Sequence, residues 1–150
     1  MNRTFYYRTE NQEYYSVGAT VFHKTENGAR EVITIEDKDN PESAEALILY
    51  VYEFENHLVM LLNWLIEKNI ICINKHTDEV FWRLPEPPNT WKTRTNYWSE
   101  IRADVNLYPD HVYCYTVDQY RCIYEVTTGK LLQEFYPNGG DPRDFLINVP

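Results

Sequence analysis

Hydrophobic and polar positions follow one another in short apolar runs broken by turn signals, and few stretches keep a helical spacing, so the pattern predicts strands joined by tight turns. In "TVFHKTENGAREVITIED" the Asn27-Gly28 pair marks a hairpin, because both types tolerate the positive φ that a type I′ turn needs. Thr20 to His23 should therefore pair antiparallel with Glu31 to Ile35. The next segment, "EDKDNPESAEAL", is polar and acidic. Its Asn40-Pro41-Glu42 resembles a cap, a first helical residue and an acidic first turn, which places a short helix near 41–47.

The stretch "ALILYVYEFENHLVMLLNWLIEKN" is apolar on every side over 46–52 and fits either one buried helix or two strands. Its β-branched and aromatic content, and a Glu55-Asn56 turn, favour strands at about 46–54 and 57–64. Further on, "IICIN" and "VFWRL" flank the polar turn "KHTDE", and the proline-rich "PEPPNTW" ends that hairpin. A second series runs through "YWSEIRADVNLY", "HVYCYTV", "YRCIYEV" and "KLLQEF". In the tail after Phe135 only "DFLINV" could add a strand.

The two series are related. Setting "ICINKHTDEVFW" against "CIYEVTTGKLLQ" gives a constant offset of 51 that pairs Ile73 with Tyr124, Asp78 with Gly129 and Val80 with Leu131. Upstream, His57 answers His111 at an offset of 54. A period near 50 with several strands per unit is the signature of propeller-type repeats. The string "VYCYTVDQYRCIYEVTTGKLL" resembles the blade repeat of pyrroloquinoline-quinone-type β-propellers, which turns at Thr-Gly into an apolar strand. "IICINKHTDEVFWRL" is similar, with Trp82 at the motif's terminal Trp and Asp78-Glu79 where the motif prefers Gly-Lys or Gly-Glu.

That resemblance implies architecture alone, since none of the cofactor-binding or metal-binding residues of quinoprotein enzymes can be placed on this chain. A closed propeller takes about four blades at the least, so two units and a hairpin must pack openly or against a second copy. The expected fold is all-β: antiparallel sheets from two blade-like units, 46–84 and 95–135, after an N-terminal hairpin region 1–45 and before a tail 136–150.

Composition narrows the function classes. The 150 residues fit one domain, and 43% apolar with 15% aromatic content suits a packed core rich in strand formers. The formal charge of −9 opposes a phosphate backbone or an anionic membrane and suits a basic protein partner. Cys72, Cys114 and Cys122 are odd in number and sit in apolar runs, which reads as buried thiols in a reducing, cytoplasmic setting. No apolar run long enough for a membrane helix occurs.

For catalysis the chain offers His23, His57, His76, His111 and neighbouring carboxylates, without a known catalytic, phosphate-binding or metal-binding motif. No enzyme activity, cofactor or metal is expected. The binding candidates are the acidic region holding Glu36, Asp37, Asp39, Glu53 and Glu55, and the aromatic loop with Trp91, Tyr97 and Trp98. In size and charge the chain also resembles the immunity proteins of bacterial toxin systems, which implies occlusion of a basic, nuclease-type toxin. The alternative is a ligand-binding or structural β module, including a homodimer of half-propellers.

Overall fold

The computed structural model describes residues 4–8, 12–35, 45–63, 68–85, 87, 97–117 and 120–135. All regular structure among them is strand. The first sheet holds β1 (Thr4–Arg8), β2 (Glu13–Val17), β3 (Thr20–Thr25) and β4 (Gly28–Thr34). A second holds β5 (Ile48–Glu53), β6 (His57–Leu62), β7 (Ile70–Asn74) and β8 (Val80–Arg83). The third holds β9 (Glu100–Arg102), β10 (His111–Tyr115), β11 (Arg121–Glu125) and β12 (Leu131–Phe135). Each is an antiparallel meander in chain order, and the three form an open stack.

The N-terminal region is therefore a full four-stranded sheet and not a lone hairpin. Its expected pairing is present, with Thr20 opposite Thr34 and Val21 opposite Ile33. The turn, however, sits one residue earlier than the Asn-Gly rule places it. Thr25 pairs with Gly28, so Glu26 and Asn27 make the bend, and Gly28 alone carries the positive φ, 127°. The helix expected near 41–47 is absent over 45–47, which has no regular structure, while 41–44 and the "DFLINV" segment lie outside the described residues.

The strand reading holds as β5 and β6, Ile48–Glu53 and His57–Leu62, and the structure explains why its pattern was ambiguous. The second sheet is the middle layer and buries both faces, so its strands carry no polar alternation. Leu58, Met60, Leu62, Ile71 and Ile73 point toward Tyr14, Val21 and Ile35 of the first sheet. Val59, Leu61, Ile70 and Cys72 point toward Ile101, Val112, Cys114 and Cys122 of the third. Each fully buried aliphatic side chain contributes about 1.5–3 kcal/mol relative to exposure.

The offset of 51 is a structural equivalence. The β7–β8 turn and the β11–β12 turn share their hydrogen bonds: Asp78 N to Asn74 O and Gly129 N to Glu125 O, both 2.7 Å. Asn74 N to Glu79 O and Glu125 N to Lys130 O close them, at 2.8 and 2.9 Å. Asp78 has φ 63° and Gly129 has φ 73°. The strand irregularities also coincide, between Cys72 and Ile73 and between Ile123 and Tyr124.

Candidate functional site

Meander topology puts the β3–β4, β5–β6, β7–β8, β9–β10 and β11–β12 turns at one end of the stack, the turn end. Contacts between neighbouring sheets converge there. Arg30 Nη2 donates to His76 O across the first junction at 3.1 Å, and Trp82 Nε1 donates to Val126 O across the second at 2.7 Å. At the opposite end Ala46 N donates to Gly18 O, 2.7 Å, and Trp98 N donates to Asn69 Oδ1, 3.1 Å. Both residues stand two positions before the first strand of their sheet, so each new sheet is tied to the one before it.

The deepest polar group at the turn end is Asp78, whose side chain is 1% exposed. Its Oδ2 lies 2.8 Å from His23 Nδ1 and also accepts from Arg30 Nε. His23 Nε2 is 2.6 Å from Gln12 Oε1, and the Tyr14 ring stacks on the imidazole at 4.5 Å between centroids. The Tyr14 hydroxyl is pushed well above its ordinary range, first by burial and then by the Asp78 and Glu53 charges.

A His–Asp pair invites a catalytic reading. Here the nitrogen that would meet a substrate is closed by Gln12, and the ring is covered by Tyr14. The arrangement works as a cross-link between sheets. Asp78 could have been picked out in the sequence as an Asp standing where the repeat favours Gly; His23 and Arg30 carry no such signal, because their pairing spans 48 to 55 residues.

The second junction has a different face. Between it and solvent lies a cavity of about 310 Å³ lined by Phe54, Glu55, His57, Pro109, Asp110 and Val126, among others. Asp110 serves the neighbouring turn, its Oδ1 accepting from Thr127 N at 2.9 Å and its Oδ2 from Thr127 Oγ1 at 2.8 Å. His57 packs on Phe81 at 4.9 Å, and its repeat partner His111 stacks on Tyr108 at 5.6 Å. His76 is exposed in the β7–β8 turn.

The thiols of Cys72, Cys114 and Cys122 are free and buried in this junction. Burial pushes Cys72 and Cys122 up to about 12 and Cys114 well above its ordinary value. They are poor nucleophiles. Among the described residues no group of three or more His, Cys, Asp or Glu side chains is placed to hold a metal ion, and no helix is long and apolar enough to cross a membrane.

Of the binding residues expected from sequence, Glu53, Glu55, Tyr97 and Trp98 fall among the described residues. Glu53 ends β5, half-buried, and Glu55 is exposed in the turn that follows, so the two do not share a strand face. Glu36, Asp37, Asp39 and Trp91 lie outside the described residues. The described flanks of the acidic connection, Ile35 and Ala46, donate to Ala19 O and Gly18 O at the end opposite Glu55.

Tyr97 is half-buried. Trp98 corrects the aromatic-loop expectation: it is 0% exposed, donates from Nε1 to Pro85 O at 3.1 Å and packs on Tyr120 and Tyr124. It is a core residue and cannot act as a surface anchor. What sequence reasoning missed is that Glu26 and Glu79 join the expected Glu55 as an exposed set at the turn end, from three different turns.

No protein-family model matches the chain, and no curated protein matches it. Among solved structures it is similar to two computationally designed proteins. One is Ika8, at TM-score 0.55 and 10% identity over 91% of this chain and 37% of that one. The other is Ika4, at TM-score 0.55 and 11% identity over 91% of this chain and 72% of that one. The chain thus spans little more than a third of the first and under three quarters of the second. At such identity the likeness is one of fold.

Proposed function

We propose that the chain is a non-enzymatic protein-binding module whose turn end receives a basic partner. The observation that carries this reading is the convergence of exposed Glu26, Glu55 and Glu79 at one end, beside a cavity with an apolar floor. Lys24 and Arg30 at this end are ion-paired with Glu13 and Asp78, which leaves the three carboxylates against Lys75 and Lys130, and the chain as a whole carries −9. Such a surface steers a positively charged protein and raises its association rate at low salt.

The most specific form is an immunity protein that covers the active surface of a cognate nuclease-type toxin, because a nuclease must itself present basic residues to phosphate. Blocking such a surface needs no catalytic group. The test is calorimetric titration of the full chain with a basic nuclease domain encoded beside it, together with an assay of the nuclease. Binding at 1:1 with loss of nuclease activity is the expected result; no binding at low salt would refute the specific form.

A further inference from the structure

The β3–β4 turn holds the one Asn-Gly pair among the described residues, Asn27-Gly28, and both residues are exposed. Gly28 opens β4, the edge strand of the first sheet, and its pairing with Thr25 closes the bend. A terminal pair on an edge strand frays readily, which frees the Gly28 N–H. Gly28 has φ 127°, and a Cβ built on it would meet nothing within 4 Å. The backbone after Asn27 is therefore open to approach and free to turn.

Other asparagines are held. Asn69 Nδ2 donates to Leu62 O and Trp98 O, at 3.1 and 2.7 Å, and Asn74 Oδ1 accepts from His76 N and Thr77 N, at 2.8 and 3.2 Å. The Asn27 side chain makes no hydrogen bond to a described residue. Asn56 is exposed in the β5–β6 turn, as Asn27 is in its own, but the residue after it is His57, whose Cβ crowds the peptide nitrogen and narrows its backbone freedom.

We infer that Asn27 is a site of spontaneous covalent modification, where the side-chain amide is lost and a carboxylate is gained. Gly28 N attacks Asn27 Cγ and closes a succinimide; the Cγ–Nδ2 bond breaks, and the Gly28 proton leaves with the amide nitrogen as ammonia. Water then opens the imide. Cleavage between Gly28 N and Cγ gives an aspartyl residue. Cleavage between Gly28 N and the Asn27 backbone carbonyl carbon gives an isoaspartyl residue, whose main chain runs through Cβ and Cγ. Either product adds a negative charge beside Glu26. The isoaspartyl form also lengthens a two-residue bend, which shifts β4 and draws Arg30 away from Asp78 and His76. That the new carboxylate speeds association with a basic partner rests on the turn-end reading; the modification itself does not.

The test is incubation of the full chain in mildly alkaline buffer, then protease digestion and mass spectrometry, with Asn56 as the internal reference and Asn138-Gly139 resolved in its own peptide. The Asn27 peptide should exchange NH for O on the order of tenfold faster than the Asn56 peptide, and fragmentation should find both aspartyl and isoaspartyl forms. After separation by anion exchange, the isoaspartyl chain should lose amide hydrogen-exchange protection in β4 while the aspartyl chain keeps it. Failure of the turn-end reading alone would leave conversion intact and the association rate unchanged by the added carboxylate. Conversion at Asn27 no faster than at Asn56 overturns the modification, and unchanged β4 protection in the isoaspartyl chain overturns its effect on the first junction.

Discussion

The two junctions between sheets use the same turn in opposite ways. In the β7–β8 turn the positive-φ position is Asp78, which sends a carboxylate into the first sheet to meet His23 and Arg30. In the β11–β12 turn it is Gly129, and a Cβ there would stand 2.8 Å from Trp82 Cγ. The missing side chain is what lets the Trp82 indole lie on the turn and reach Val126 O. One backbone conformation thus supports a charged cross-link in one place and an aromatic one in the other, and the choice between Asp and Gly decides which.

That difference can be broken at either end. Asp78→Ala leaves His23 and Arg30 without their carboxylate and should cost about 3–5 kcal/mol in urea unfolding. Asp78→Gly should cost less, because glycine also relieves the positive φ. An equal loss in both would show that backbone strain at this turn is immaterial. Gly129→Ala forces a methyl into the indole and an L-residue into the left-handed region, and should cost about 2–4 kcal/mol.

High pH should loosen the second junction selectively. Cys72 and Cys122 have folded values near 12 against an ordinary 9.0, so their stabilising contribution is complete below pH 9 and is lost as the pH rises toward 12. The two thiols together should remove about 2–3 kcal/mol by pH 10. Replacing both with Ala should flatten that part of the pH–stability curve. The smallest effect is Trp82→Phe, which deletes one hydrogen bond to Val126 O and should cost about 1 kcal/mol.

The repeat was legible because hydrogen-bonded turns impose residue types at fixed spacing: the 51-residue offset carries turn bonds, positive φ and strand irregularity alike. The first sheet escaped notice as a related unit because its β3–β4 turn is shorter, bending at Glu26 and Asn27 with no Thr-Gly equivalent, so the same offset finds no match there. Trp98 read as a loop aromatic because its neighbours are polar and proline-rich. Its burial depends on Asn69 and Pro85, which only the tertiary fold brings to it. The Asp78 cluster, which joins one turn to strands of another sheet, and the acidic turn end, which gathers three turns, are likewise products of stacking.

The turn end is the claim on which function rests, and association kinetics tests it most directly. The quantity to measure is the association rate of the full chain with the proposed basic nuclease domain across a salt series, for the parent and for Glu26→Lys/Glu55→Lys/Glu79→Lys. The account predicts a rate that falls as salt rises in the parent, and a slower, nearly salt-independent rate in the triple variant, with unfolding unchanged because all three side chains are exposed. Identical rates and salt slopes for the two proteins would contradict it.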